Sequence, residues 1–563
     1  MDKHHIAVLY REFLFRMVDR ELLSAGSGGD INKFLGRLAA FLIWISVPFA
    51  VMASGAGRGP SLAPEHILIS TTMLLVSVFC VLAWDSLFPD RRDIFVLTPL
   101  AVKPGSLFVA KIASLFAALA VAVALYNGLP GLVFPFALMP PDASILDLLF
   151  SARFYRNFVG YWATMFGAGA FILGCVICIQ ALTSLLPRPA ALRLSSVLQI
   201  ATFCTAVAAY FLQPSLATVG KLSDPANREL LQWLPSYWFV GLMHQLTGIS
   251  GGPAQPALMS LAARAWAALA IIAAGASIAV VASFASLRRI AEQPDIIPAK
   301  HKPMAGLIPG SSPSAAIVQW TARTLLRSRQ HRVLVTFYAG IGFAAVILYV
   351  QTPVADIMAR ASASDPWREI SLPLIGASFV MTLCWIVGVR AAFAIPAELK
   401  ANWIFQLALT SGPAEPLAAA RTAFYTVAVA PVWCAVAIAL LWMWPWITAI
   451  QHLVVLGLLA ATIAAVCLRG FYKLPFACSY LPGVSNIHMT LALSAMFGLN
   501  ILFFAASHER RALFEPRLYA LIVGGLTAAF AASWKWLRSA DTPRQLRFEE
   551  EPDPAVLTLG LNE

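Results

Sequence analysis

Runs of about 20 residues with almost no charge recur along the whole chain, and this constrains the fold more than any other feature. A membrane-spanning helix needs about 20 mostly apolar residues. Six such runs lie in the first half, at roughly 35–54, 65–84, 108–128, 157–186, 193–213 and 260–286. Six more follow, at roughly 332–350, 371–394, 421–446, 451–468, 487–506 and 516–536. The break between 421–446 and 451–468 rests on Trp444-Pro445-Trp446, which reads as a short interfacial turn with aromatic anchors. The composition agrees. Hydrophobic residues make up 59% of the chain and charged residues 12%, against about 45–50% and about 25% in soluble domains. So few charges could not cover 563 residues in water, and the same apolar excess excludes disorder. Eight cysteines are too sparse for a secreted disulfide scaffold. The expected fold is all-α, a polytopic membrane protein of about 12 transmembrane helices. The first run follows a polar and amphipathic stretch, so no cleavable signal peptide is expected.

Basic residues set the expected orientation, because cytoplasmic loops collect Lys and Arg. They gather in the amino-terminal arm (Lys3, Arg11, Arg16, Arg20), after the second run (Arg91, Arg92, Lys103, Lys111), in the centre (Arg288, Arg289, Lys300, Lys302, Arg323, Arg327) and after the last run (Lys535, Arg538). With an even number of spans these all fall on one side, and both termini are cytoplasmic. The net charge of +12 follows from the same bias. No zinc-finger spacing, RNP-like motif or base-reading helix points to nucleic acid.

The chain reads as a parallel duplication. The expected parts are a first six-span half at 1–289, a Pro/Gly/Ser-rich linker at 290–315, a second half at 316–538 and a polar tail at 539–563. Each half opens with an amphipathic helix. Ile6, Leu9, Tyr10, Phe13 and Leu14 share one face in the first, and Ile317, Trp320 and Leu325 in the second. Such helices lie in the headgroup plane; the alternative is an arm packed on a loop. The second span of each half leads into a charged loop, Pro89-Asp90-Arg91-Arg92-Asp93 and Pro396-Ala397-Glu398-Leu399-Lys400. The chain re-enters the membrane near Lys111 and Arg421. The segment 214–258, with Leu234-Pro235-Ser236-Tyr237-Trp238, suits an interfacial or re-entrant outer helix; the alternative is a seventh span.

Familiar catalytic signatures are absent. There is no phosphate-binding G-x-x-x-x-G-K-[ST] and no H-E-x-x-H. Cys175 and Cys178 form a mid-span C-x-x-C that reads as small buried side chains. The spans look nearly free of ionisable residues. The candidates Asp85 and Arg390 sit close to cytoplasmic ends, so a proton-driven mechanism lacks its usual parts.

Two six-span halves, each with an elbow helix and a charged loop after its second span, resemble the permease of a type-2 ABC exporter. The strings from Trp84 to Asp93, Pro99-Leu100 with Lys111, and Leu234 to Trp238 are similar to bacterial permeases of this kind. Such permeases usually carry one six-span unit per chain and pair; this chain resembles a fused pair, and its second half lacks the long outer segment. The resemblance implies a non-enzymatic membrane subunit of the bacterial inner membrane. ATP and magnesium would be bound by a separate ABC ATPase, with no cofactor in this chain, and further membrane or periplasmic subunits would fit the same assembly. By position, Asp90, Arg91, Arg92, Asp93, Glu398 and Lys400 would face the ATPase. Mixed charge on a short surface helix suits such docking by setting register. Two other classes compete: a major facilitator-type secondary transporter, which would want intramembrane charges, and a polytopic enzyme acting on lipid-linked substrate, for which the first outer loop offers only Glu65 with His66.

Overall fold

The computed structural model describes residues 3–18, 46–54, 62–88, 104–139, 151–184, 188–213, 216–285, 313–360, 372–395, 414–469, 474–477 and 504–539, with a few isolated positions besides. These residues are helical or lie in turns, with no strand among them. The chain divides into two compact units, Met1–Ala299 and Lys300–Glu563.

The first unit begins with α1 (Lys3–Val18). The next long helix, α2 (Ala63–Leu82), starts with Pro64 in its first turn, where a missing N–H costs nothing. Then come α3 (Pro104–Ala137), α4 (Ala152–Ser184) and α5 (Arg188–Phe211). An outer segment of short turns, Val219–Ser223 and Arg228–Leu231, leads to α6 (Pro235–Thr247) and then α7 (Gln255–Ala285). The 13 residues of α6 rise about 20 Å, short of a hydrocarbon core of about 30 Å. This helix is therefore not a span. It ends at Gly248, whose positive φ of 67° supplies a left-handed cap.

In the second unit α8 (Pro313–Arg327) precedes α9 (Arg329–Arg360) and α10 (Leu372–Ala392). A π turn, Tyr425–Val429, interrupts the next rod and separates α11 (Ala414–Phe424) from α12 (Ala430–Met443). The chain breaks at extended Trp444 and Pro445, as the sequence implied, and α13 (Trp446–Cys467) comes next. Residues 504–512 are helical, and α14 (Pro516–Ser539) closes the unit.

Among the described residues nine helices are long and apolar enough to cross a membrane. Each coincides with one of the expected runs. Of the other three expected spans, 332–350 falls within the less apolar α9, 35–54 is described from 46 on and is helical over 46–53, and most of 487–506 lies outside the described residues. The protein is thus a multi-pass, all-α membrane protein.

Two features of the packing place the functional groups. In the first unit α2 is the central helix. Leu68, Ile69, Val76 and Cys80 are fully or almost fully buried against α3, α4 and α6. In lipid no hydrophobic force draws helices together, so close backbone approach and polar links must do so. Both are present. A Cβ at Gly241 of α6 would strike the Leu258 carbonyl and the Ala262 amide of α7. Asn127 of α3 donates to Thr72 of α2 at 3.1 Å and accepts from the Tyr161 hydroxyl of α4 at 2.8 Å.

The second feature is common to both units. The apolar face of α1, with Leu9 and Phe13, packs on Leu107 and Ala110 at the start of α3. Lys111 reaches over the Phe13 ring at 4.6 Å. In the second unit Ile317 of α8 packs on Ala419 of α11, with Leu474 and Ala477. Lys111 and Arg421 stand equally far from the starts of α3 and α11. Each amphipathic helix therefore docks on the helix that comes after the charged loop of its own unit.

Candidate functional site

The first unit holds a cavity of about 480 Å³ between α2, α4 and α5, closed at one end by residues 233–236. That lies within the range of about 300–1,000 Å³ for small-molecule pockets. Most of the wall is apolar: Met73 and Leu74 of α2, Phe171, Val176 and Ile179 of α4, Leu198 of α5. Neutral polar groups interrupt it, namely Ser70, Ser77, Thr202, Thr205, Tyr210 and Gln213. Tyr210 is hydrogen-bonded to Thr71 at 2.9 Å. No Asp, Glu, Lys or Arg is among the lining residues. Cys175 lies on this wall, and no group of three potential metal ligands occurs among the described residues.

A polar cluster caps the cavity. The Ser236 hydroxyl donates to Gln213 Oε1 at 3.0 Å. With its one hydrogen so used, it accepts from His66 Nε2 at 3.1 Å. The His66 ring stacks on Tyr237 with centroids 4.1 Å apart. Beside this cluster Glu65, in the first turn of α2, accepts from His244 Nε2 at 2.7 Å. An anion is favoured there by the helix dipole. The other ring nitrogen, Nδ1, faces the Ile249 carbonyl at 3.4 Å. Acceptors at both nitrogens call for two N–H groups, hence an imidazolium. Burial acts to lower the His244 pKa, but the charge of Glu65, its hydrogen bond and the Ile249 carbonyl together raise it above the ordinary 6.5.

The second unit has its own pair. His452, at the start of α13, is fully buried. Its Nδ1 donates to Glu509 Oε1 at 2.8 Å, and its Nε2 lies 2.9 Å from Ser378 Oγ of α10. The Ser378 hydroxyl also donates to the Ile375 carbonyl at 2.7 Å. The hydroxyl has one hydrogen to share between that carbonyl and the ring. Serine, histidine and carboxylate stand in the order of a hydrolytic triad, but all three are buried. Phe379 and Trp444 flank the His452 ring, each 5.7 Å away by centroid. Oε2 of Glu509, Oγ1 of Thr382 and Nε1 of Trp444 are buried without a partner.

These pairs correct the expectation that the spans lack relay-like groups. Glu65 and His66 are first-turn residues of α2, not loop residues, and Glu509, which the sequence reading did not single out, is buried. Asp85 lies in a 3₁₀ turn closing α2, as a helix-end residue should. Arg390 donates to the Cys467 carbonyl at 2.7 Å and covers the Phe471 ring.

The six loop residues singled out from the sequence, Asp90, Arg91, Arg92, Asp93, Glu398 and Lys400, lie outside the described residues. The roots of their loops are described. Trp84 is fully buried; its indole donates to Ser195 of α5 at 3.0 Å, and its carbonyl accepts from Gln180 of α4 at 2.8 Å. In the second unit His331 of α9 is hydrogen-bonded to the Ile395 carbonyl at 2.9 Å, and the Ala397 amide donates to Phe476 at 2.8 Å. Both loops leave from anchored points. No protein-family profile, curated protein or solved structure matches the chain.

Proposed function

We propose that this chain is the membrane-spanning permease of an ABC exporter in the bacterial inner membrane, with twelve spans, both termini cytoplasmic and ATP hydrolysed by a separate subunit. The observation that carries this reading is the repeated docking of an amphipathic helix on the helix after the charged loop, with Lys111 and Arg421 in the same register. Two such platforms, one per unit, offer a soluble ATPase two matched surfaces beside two anchored loops. Asp90, Arg91, Arg92, Asp93, Glu398 and Lys400 belong to those loops and would carry the complementary charge.

The cavity supports an amphipathic, lipid-like cargo. Its walls are apolar, and its polar end offers only neutral groups, Gln213, Ser236 and Tyr210. This suits a hydroxylated or otherwise uncharged headgroup, because an ion there would lack a counter-charge.

Charge reversal at Arg91 and Arg92 together is expected to weaken recovery of the ATPase in pull-downs while leaving insertion intact. Like-charge juxtaposition at an interface costs several kcal/mol. Undiminished recovery at low and moderate salt would sink the reading. One observation favours the secondary-transporter alternative: buried carboxylate–histidine pairs are parts of the kind that proton-driven carriers use. Co-purification of an ABC ATPase separates the two.

A further inference from the structure

The two carboxylate–histidine pairs sit at matching places. In the first unit the pair joins α2, the second expected span, to α6, which lies between the fifth and sixth. In the second unit α10, again the second expected span, is joined through His452 to Glu509, again between the fifth and sixth. The residues are not exchanged one for one. The second span supplies the carboxylate in one unit and a hydroxyl in the other. What is common is a single histidine linking the same two parts.

We propose that the Glu65–His244 pair of the first unit is a proton-binding latch. With His244 doubly protonated, α6 is held to α2 by an ion pair. Loss of a proton leaves a weaker neutral hydrogen bond in its place, and that end of the unit opens. The inference rests on the geometry of the pair and is independent of what powers transport; only the assignment of this end to the outer face rests on the topology proposed above.

Two observations favour a working latch over a structural ion pair. A buried pair stabilises a fold less than apolar packing of the same volume would, yet this one is kept at 2% and 5% side-chain exposure. Moreover, α6 itself begins with Pro235 and Ser236, which wall the cavity. Movement of α6 away from α2 would open that wall.

Few other groups compete. On the elements packed against α6 the other charged or titratable groups near this end are His66, Arg153, Arg156 and Arg264, with Tyr155 and Tyr161. His66 is engaged by Ser236, and the Arg156 guanidinium lies against Gly248. Glu65 is the only carboxylate on these elements.

The test is hydrogen exchange of the full chain in lipid nanodiscs, read at 235–247 between about pH 5.5 and 9 and corrected for the intrinsic rate. Above the folded-state titration the closed form should lose about tenfold in protection per pH unit. Glu65→Gln/His244→Gln, which keeps neutral hydrogen-bonding groups, should make 235–247 independent of pH. His66→Gln should leave the response at 235–247 in place. Exchange that is flat with pH in the wild type would overturn the proposal, and so would an unchanged response in the double variant. Should the double variant not fold, His244→Gln alone serves the same comparison, and the wild-type series decides by itself. Failure to find an ATPase partner would not alter these outcomes.

Discussion

Replacing Glu65 by Gln should change both the stability of the first unit and the sign of its pH dependence. In the wild type, His244 titrates above 6.5 in the folded protein because burial, which lowers it, is outweighed by Glu65 and the Ile249 carbonyl together. A histidine raised on folding contributes stability that is fully present below about pH 6.5 and is lost as pH rises through the folded value. In Glu65→Gln the carboxylate is gone and burial dominates, so the folded value falls below 6.5 and stability from this group grows with pH. At about pH 5.5 the substitution removes the counter-ion from a ring with 2% side-chain exposure, and breaking a buried pair in this way costs about 3–5 kcal/mol. Above the wild-type titration the ring is neutral in both proteins, and the loss is that of one weakened hydrogen bond, about 1–3 kcal/mol. The cost of the substitution should thus fall by about 2 kcal/mol across this range, a factor of up to about 30 in the folding equilibrium. Reversible unfolding in mixed micelles, followed by tryptophan fluorescence at one pH on each side of the titration, measures it. A cost that is equal at the two pH values, or larger at the higher one, would refute the assignment of His244 as the charged partner.

Other outcomes are equally specific. Gly241→Ala should cost about 1–3 kcal/mol in the same assay, because its Cβ meets the Leu258 carbonyl and the Ala262 amide; an unchanged midpoint would show that α6 and α7 can separate freely. Asn127→Leu should destabilise by about 1–3 kcal/mol, since the Tyr161 hydroxyl loses its acceptor, and a paired Tyr161→Phe should recover part of the loss. Reporter fusions at Lys300 and Glu563 should both signal from the cytoplasm, and an external signal at Lys300 would break the six-plus-six topology. The purified chain should show no magnesium-dependent ATP binding, as it lacks the lysine-bearing phosphate loop; saturable binding by calorimetry would contradict this.

The spans were legible because length and lack of charge suffice to define them. Each of the nine long apolar helices falls on a run visible in the sequence, and even the Trp444–Pro445 break was marked by its own residues. The acid–histidine pairs were not legible. Glu65 and His244 stand 179 residues apart and His452 and Glu509 57 apart, and each alone resembles an ordinary residue at a span end. Nothing local distinguishes a histidine facing a carboxylate from one facing headgroups; only helix packing does. A weaker signal was present. In segments this poor in charge, Glu65, His452 and Glu509 were the exceptions worth pairing. The docking of α1 and α8 was half legible. The apolar faces predicted that something covers them, but not that the helix after the loop does so.

The π turn at Tyr425–Val429 has an evolutionary consequence. A π turn amounts to one extra residue within an α-helix, and one residue turns everything beyond it by about 100°. Before the turn, Arg421 keeps step with Lys111 of the other unit; after it, the far half of the rod presents a different face. A single inserted codon in this way lets one end of a span diverge while the other stays in register. The face beyond the turn is then set by its own neighbours, and the face before it by the amphipathic helix that docks there.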